Sequence, residues 1–232
     1  MLKHSKVVHA ATIGDAWREA MQLCIAEGWD FVGKGGSYPG QIRRQLNRVM
    51  IVIDQPWTRP LSPIMPPGLP GPTNDEKIEN YFANYIMGAE MAENEVYTYG
   101  TFITAQVDRV IELLDKAKGN TNQACIAIGD ASTTFLGDPP CLRVVSFKVV
   151  EGHLEMSVFF RSWDLYTGFP ENLGGLQLLK EYVVEQLELP VLDGPLIAYS
   201  DGLHIYEQYF EIVNSLNINK IPMEDKDEPG RL

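Results

Sequence analysis

Cys141 and Arg161 are the two residues whose types and spacing most directly suggest chemistry. If residues 142–150 and 154–160 are strands turning on Glu151-Gly152, facing residues have numbers that add up as 151 and 152 do. That register pairs Cys141 with Ser162 and sets Arg161 one residue from the cross-strand position. A guanidinium beside a thiol favours the thiolate, which is the nucleophilic form. Pro139-Pro140 stiffens the approach and removes two backbone donors. The plainer alternative is a small buried hydrophobe at a strand start, the commoner fate of a cysteine. Arg43, Arg44 and Arg48 form a second cationic group, read either as a solvated loop face or as ligands for an anion.

The elements that must position these residues follow from periodicity. Residues 11–28 read as a helix, with Thr12 and Asp15 at capping-box-like spacing and Gly28 as a stop. Its apolar face is Trp17, Ala20, Met21, Cys24 and Ile25. A glycine-rich turn over 33–40 leads through the three arginines into 49–53, a β-branched run expected to be a buried strand. Seven of the 15 prolines fall within 56–72, which excludes helix and central strand there and predicts a long ordered loop or lid.

Ile78, Tyr81, Phe82, Tyr85 and Ile86, and then Ile103, Val107, Val110, Ile111 and Leu114, recur at helical spacing and predict two amphipathic helices. Further strands are expected at 124–128 and 196–200, and helices at 172–189 and 206–216. The segment 222–232 is polar and reads as a mobile tail. With no internal repeats, the expectation is one α+β domain over residues 1–232, a mostly antiparallel twisted sheet flanked by helices.

Composition narrows the classes. The chain has 232 residues, 31 acidic against 19 basic side chains, and a formal charge of -12. Such a surface argues against nonspecific nucleic-acid binding, so a phosphorylated ligand needs a local cluster of arginines. No run approaches the ~18 apolar residues of a membrane span. Only Val7-Val8 follows the basic amino terminus, so no signal-peptide core is expected. Cys24, Cys125 and Cys141 are odd in number and lack CxxC spacing, which fits a reducing cytoplasm.

Several motifs occur in a telling order. Tyr99-Gly100, Pro140-Cys141, Arg161-Ser162-Trp163-Asp164, Gly168-Phe169-Pro170-Glu171-Asn172 and Asp201-Gly202-Leu203-His204-Ile205-Tyr206 together resemble the thymidylate synthase family. The resemblance runs from about residue 97 to 210. It implies that Cys141 adds to C6 of a uracil ring, making C5 nucleophilic toward a one-carbon unit on a reduced pterin. Arg161 and Ser162 match phosphate ligands, and Arg44 is the best match for an amino-terminal phosphate arginine. Asn172 matches the reader of the pyrimidine edge, and His204 with Tyr206 the pair on the ribose hydroxyl. Asp164 matches a residue that orients the pterin, and Tyr99 a tyrosine associated with proton removal from C5.

The implied co-substrate is methylenetetrahydrofolate or a methanopterin-type analogue, with no metal, and the implied assembly is a homodimer packed through its sheets. Departures from the family pattern are expected to reshape the site. Leu142 and Phe160 stand where histidine and glutamine are usual, and Asn122-Gln123 where an arginine pair reaches the partner's phosphate. The usual closing segment is not recognisable in 221–232. A pyrimidine nucleotide 5-hydroxymethylase, in which water replaces hydride as the final nucleophile, is the alternative within the family. Asn172 weighs against a cytosine substrate, because the deoxycytidylate hydroxymethylases place aspartate there. A thiol hydrolase using Cys141 and His204 lacks an identifiable third orienting residue.

Overall fold

The computed structural model describes residues 5–35, 38–91 and 96–216. The chain opens with β1 (Lys6–Ala10), α1 (Ile13–Glu27), β2 (Trp29–Val32) and the long β3 (Ile42–Ile53). After the proline-rich segment come α2 (Asp75–Tyr81), continued by a π-helical turn at Phe82–Ile86, then α3 (Gly100–Ile103) and α4 (Val107–Lys116). The second half holds β4 (Cys125–Ala127), β5 (Leu142–Val150), β6 (His153–Phe160), β7 (Trp163–Asp164), α5 (Gly168–Gln186), β8 (Leu192–Tyr206) and α6 (Phe210–Ser215). The expected α+β architecture is present: one sheet ordered β1-β3-β8-β6-β5-β4, with β2 on β3 and β7 on β8. The longest ladders, β3 with β8 and β5 with β6, are antiparallel, while β1–β3, β6–β8 and β7–β8 run parallel.

Helix α1 forms as its sequence dictates. Thr12 caps it, its hydroxyl accepting from the Asp15 N–H at 3.1 Å, and Ala16, Trp17, Ala20, Met21 and Cys24 are buried at 3 and 4 spacing. The hairpin turns on Glu151 and Gly152, both with positive φ (49° and 80°), the geometry of a type I′ turn. Of the boundaries that differ from expectation, three bear on the candidate site. Helix α5 begins at Gly168 because Pro170 sits in its first turn, where a missing N–H costs nothing. β8 extends past Ser200 to Tyr206, so the segment with His204 is strand and only Phe210–Ser215 is α-helix beyond it. β3 reaches back to Ile42, which puts all three arginines on a strand instead of a loop. The segment 56–72 holds neither helix nor strand, as its prolines require, and the tail expected over 222–232 lies outside the described residues.

The sheet is kinked at one level. On β3, Val49, Ile51 and Ile53 are buried, but so is Leu46, three residues before Val49. Strict alternation forbids that spacing. Between them Arg48 adopts φ 55°, and the ladder to β8 skips the Arg48/Asp201 pair. β8 changes phase at the same place, with Ala198 and Ser200 buried on one side and Leu203 and Ile205 on the other. Both strands thus exchange their inward and outward faces together.

Helix α5 packs unusually close to α2 and its π turn. A Cβ on Gly174 would lie 2.8 Å from the Ile78 side chain, and one on Gly175 would lie 2.7 Å from the Tyr81 ring and 2.8 Å from Ile86. These glycines let Tyr81 reach the first turns of α5. Gly175→Ala is expected to displace Tyr81 and destabilise the fold by about 1–3 kcal/mol, the range for overpacking. Chemical denaturation of the variant measures it.

Candidate active site

The hairpin ladder follows the expected register from Val150↔His153 to Val144↔Phe159 and then slips by one around Arg143. Leu142 faces Phe160, and the Arg161 N–H donates to the Cys141 carbonyl at 2.9 Å. A β-bulge therefore corrects the expected pairing of Cys141 with Ser162: Arg161 itself lies opposite the cysteine. The Arg161 guanidinium donates to Pro140 O at 3.1 Å, to Pro139 O and to Asp138 at 3.0 Å, so it also holds the segment leading into Cys141. Burial pushes the Cys141 thiol up from its ordinary value, and Arg161 and Arg43 oppose that shift without overcoming it. The thiol is half-buried next to fixed positive charge, while Ser162 follows Arg161 at the end of β6, also half-buried.

Tyr99 lies at the other side of the cysteine. Its hydroxyl accepts from the Leu142 N–H at 3.2 Å, and burial, with Cys141 adding to it, raises its phenol well above the usual value. It therefore stays protonated, with a proton to offer as a hydrogen-bond donor. Tyr97, Tyr85 and Tyr81 extend from it as a ring-to-ring series, with centroids 5.9, 5.2 and 5.3 Å apart in successive contacts. Asn172, in the second turn of α5, reaches this series: its Nδ2 donates to Tyr81 Oη at 2.8 Å, and its Oδ1 accepts from Trp163 Nε1 at 2.9 Å.

The kink decides which arginine faces the site. Arg43 is buried, its guanidinium 4.9 Å from the Tyr206 ring centroid, and its Nε has no hydrogen-bond partner among the described residues. Arg44, its neighbour on the opposite face, forms a bidentate pair with Asp30 at 2.7 and 2.9 Å and lies 5.0 Å from the Phe210 ring centroid. The structure thus brings Arg43 to Tyr206 and His204 and engages Arg44 elsewhere. Asp164 uses its carboxylate to accept from Tyr166 N at 3.0 Å, from the Thr167 hydroxyl and from Gly168 N, closing the turn that starts α5.

His204 is 2% exposed and makes an edge contact with Tyr206. Its Nδ1 lies 3.1 Å from Gly202 O. A carbonyl only accepts, so Nδ1 carries the proton, and the buried Nε2, without a partner among the described residues, is left as an acceptor. Burial is the main cause that lowers its pKa below the usual 6.5, with Arg43 adding while Gly202 and Asp164 oppose. The unfolded chain therefore takes up a proton that the folded one refuses. The stability contributed by neutral His204 is complete above pH 6.5 and is lost as the pH falls toward the folded value. The melting temperature of the wild type is expected to drop more steeply below pH 6.5 than that of His204→Gln, as scanning calorimetry across pH 5–8 would show.

A cleft of about 440 Å³ opens beside Asn172, lined by Lys77, Asn80, Tyr81, Asn84, Tyr85, Glu90 and Glu171. The stacked Tyr81 and Tyr85 rings, 18° from parallel, form an aromatic wall, and Asn80 and Asn84 supply amides. A flat, polar-edged heterocycle suits that lining. Tyr81 and Trp163 were not given site roles by sequence, and Arg43 was named only within the arginine group, behind Arg44. Tyr81 reads as one more apolar position in an amphipathic stripe, and Arg43 differs from Arg44 only in the face that the kink assigns to it.

The mixed α+β sheet thus sets an arginine opposite a half-buried cysteine and carries, at the start of α5, an asparagine whose amide is held at both ends. The family model described as thymidylate synthase matches residues 77–225, more than half of the chain, and the protein belongs to that family. It is 28% identical over 219 residues to a protein of Methanosarcina barkeri named "Putative thymidylate synthase", covering 91% of this chain and 94% of that one. A protein of Methanothermobacter marburgensis with the same name is 26% identical, with 86% and 92% covered. Thymidylate synthase of Enterobacteria phage T4 is 31% identical over 108 residues, 45% of this chain and 37% of the phage protein.

Two family departures take on structural meaning. Leu142 and Phe160 are fully buried and face each other across β5 and β6, with Phe160 stacked on Trp163 at 4.0 Å. Apolar packing here replaces polar groups. Asn122 and Gln123 are exposed. Among the described residues, no helix is long and apolar enough to cross a membrane.

Proposed function

We infer that the protein is a thymidylate synthase, converting dUMP to dTMP with a methylene-tetrahydropterin through a covalent adduct between Cys141 and C6 of the base. The observation that carries this reading is Arg161 set opposite Cys141 across the hairpin, and it is supported by an Asn172 amide held at both ends.

In this reading Asn172 binds the base edge and draws charge toward O4 as Cys141 Sγ attacks C6. Arg161 favours the thiolate, and Arg161, Ser162 and Arg43 meet the phosphate, with Arg43 taking the place expected of Arg44. His204 Nε2 accepts from the ribose hydroxyl beside Tyr206. Tyr99, kept protonated by its burial and positioned by the Leu142 N–H, steers the proton that leaves C5. Tyr81 and Tyr85 line the cleft for the pterin, and Asp164 orients it from the turn before α5. When bound, the pterin supplies the carbon unit and the hydride.

A homodimer formed through the sheet agrees with its second face. Val7, Met50, Val52, Phe159, Ile197 and Tyr199 sit on adjoining register positions there, with Val7 60% and Tyr199 45% exposed. A twofold partner would cover them.

Purified protein incubated with dUMP and methylenetetrahydrofolate, and in parallel with the methanopterin analogue, is expected to yield a nucleotide heavier by CH2. A product heavier by CH2O identifies the hydroxymethylase instead. No product with either pterin, together with no covalent capture of 5-fluoro-dUMP, overturns the reading.

A further inference from the structure

The Asn172 amide is held at its two ends by groups of unequal tolerance. Trp163 Nε1 lies 2.9 Å from Oδ1, and Tyr81 Oη lies 2.8 Å from Nδ2. An indole N–H only donates, whereas a phenol hydroxyl donates or accepts. The end facing Trp163 must therefore be the carbonyl oxygen. Tyr81 could meet either end by rotating its hydroxyl. The indole cannot turn away: it is 2% exposed and stacked between Phe160 and Phe169, with centroids 4.0 and 4.6 Å away.

We propose that Trp163 is a positioning residue that sets base specificity, locking the Asn172 amide in the orientation that accepts uracil and rejects cytosine. The proposal rests on the reading of Asn172 as the group that meets the pyrimidine edge. With one lone pair given to Trp163 and one proton to Tyr81, the amide keeps one of each for a ligand, in fixed order. Uracil presents the O4 acceptor beside the N3–H donor, and cytosine presents the reverse, an amino donor beside a bare N3. Reading cytosine requires the amide to turn over, which sets Nδ2 against the indole N–H. Two donors then face each other, and a buried proton goes unpaired. Leaving one buried donor unsatisfied is worth about 5- to 150-fold in an equilibrium. The selectivity thus resides in a residue that never touches the base.

Calorimetric titration of dUMP and dCMP into the wild type, Trp163→Phe and Tyr81→Phe tests this. Trp163→Phe keeps an aromatic ring in the stack and removes the N–H. The preference for dUMP over dCMP is expected to shrink about 5- to 150-fold in Trp163→Phe and to persist in Tyr81→Phe. An unchanged preference in Trp163→Phe, or an equal loss in Tyr81→Phe, overturns the proposal. The indole 15N–1H resonance missing from Trp163→Phe reports the bond itself and is expected to shift in Asn172→Ala. Binding of dUMP with no such shift overturns the lock alone. If the wild type binds neither nucleotide while the resonance does shift, the proposed substrate falls, and base selection with it, and the hydrogen bond stands.

Discussion

Cys141→Ser is expected to lose covalent capture of 5-fluoro-dUMP entirely and to lower dTMP formation by about 10⁴-fold or more, the scale on which covalent catalysis fails without its nucleophile. Serine keeps the shape of the side chain, and the half-buried position tolerates the small loss of volume, so the fold and dUMP affinity should remain. The reason for the size of the effect is chemical. An alkoxide at this site would meet the same burial that already raises the thiol, from a far higher starting pKa. Denaturing gel analysis of the 5-fluoro-dUMP complex, alongside tritium release from C5-labelled dUMP, measures both outcomes. A persistent adduct in the serine variant would place the nucleophile elsewhere.

The second large effect belongs to stability. Lys180 in α5 is completely buried, 2.7 Å from Asp193 and bonded to Gly194 O. Gln177 donates to Asp193 at 2.5 Å and to Glu181 at 2.9 Å, and Glu181 pairs with Arg59. This network ties the middle of α5 to the start of β8. Truncating Lys180 to alanine leaves the Asp193 carboxylate without its cation, a loss of about 3–5 kcal/mol for a broken buried pair. For a chain of this size that lowers the melting temperature by roughly 6–20 °C. The double variant Lys180→Met with Asp193→Asn is expected to recover much of it, because the charge left behind is removed as well. Calorimetry on the two variants decides whether the pair or the packing dominates.

What sequence could reveal divides along physical lines. Helix α1, the β5–β6 hairpin and the proline-rich segment were legible because each depends on neighbours in the chain: a cap, a two-residue turn, a run of prolines. The boundary of α5 was not, since a proline in a first turn looks the same as a proline before a helix. β8 was read short because Asp201-Gly202 resembles a turn, and only the partner strand shows that it continues. Cys141, Arg161, Asn172 and His204 were singled out as candidates through motifs. Which side of β3 faces them was not, because that depends on a change of phase shared by two strands far apart in sequence. The same holds for the bond from Trp163 Nε1 to Asn172 Oδ1, which no motif announces.

That shared change of phase also restricts how the gene can change in length. Removing Arg48 alone would restore regular alternation to β3 with Leu46 and Val49 still on one face, but β8 would keep its own irregularity and Asp201 would lose the position opposite it. Only a matching deletion near Asp201 would bring the two strands back into agreement. Two codons more than 150 residues apart along the chain are thus bound to one indel history. Relatives of this protein should gain or lose residues at both places or at neither.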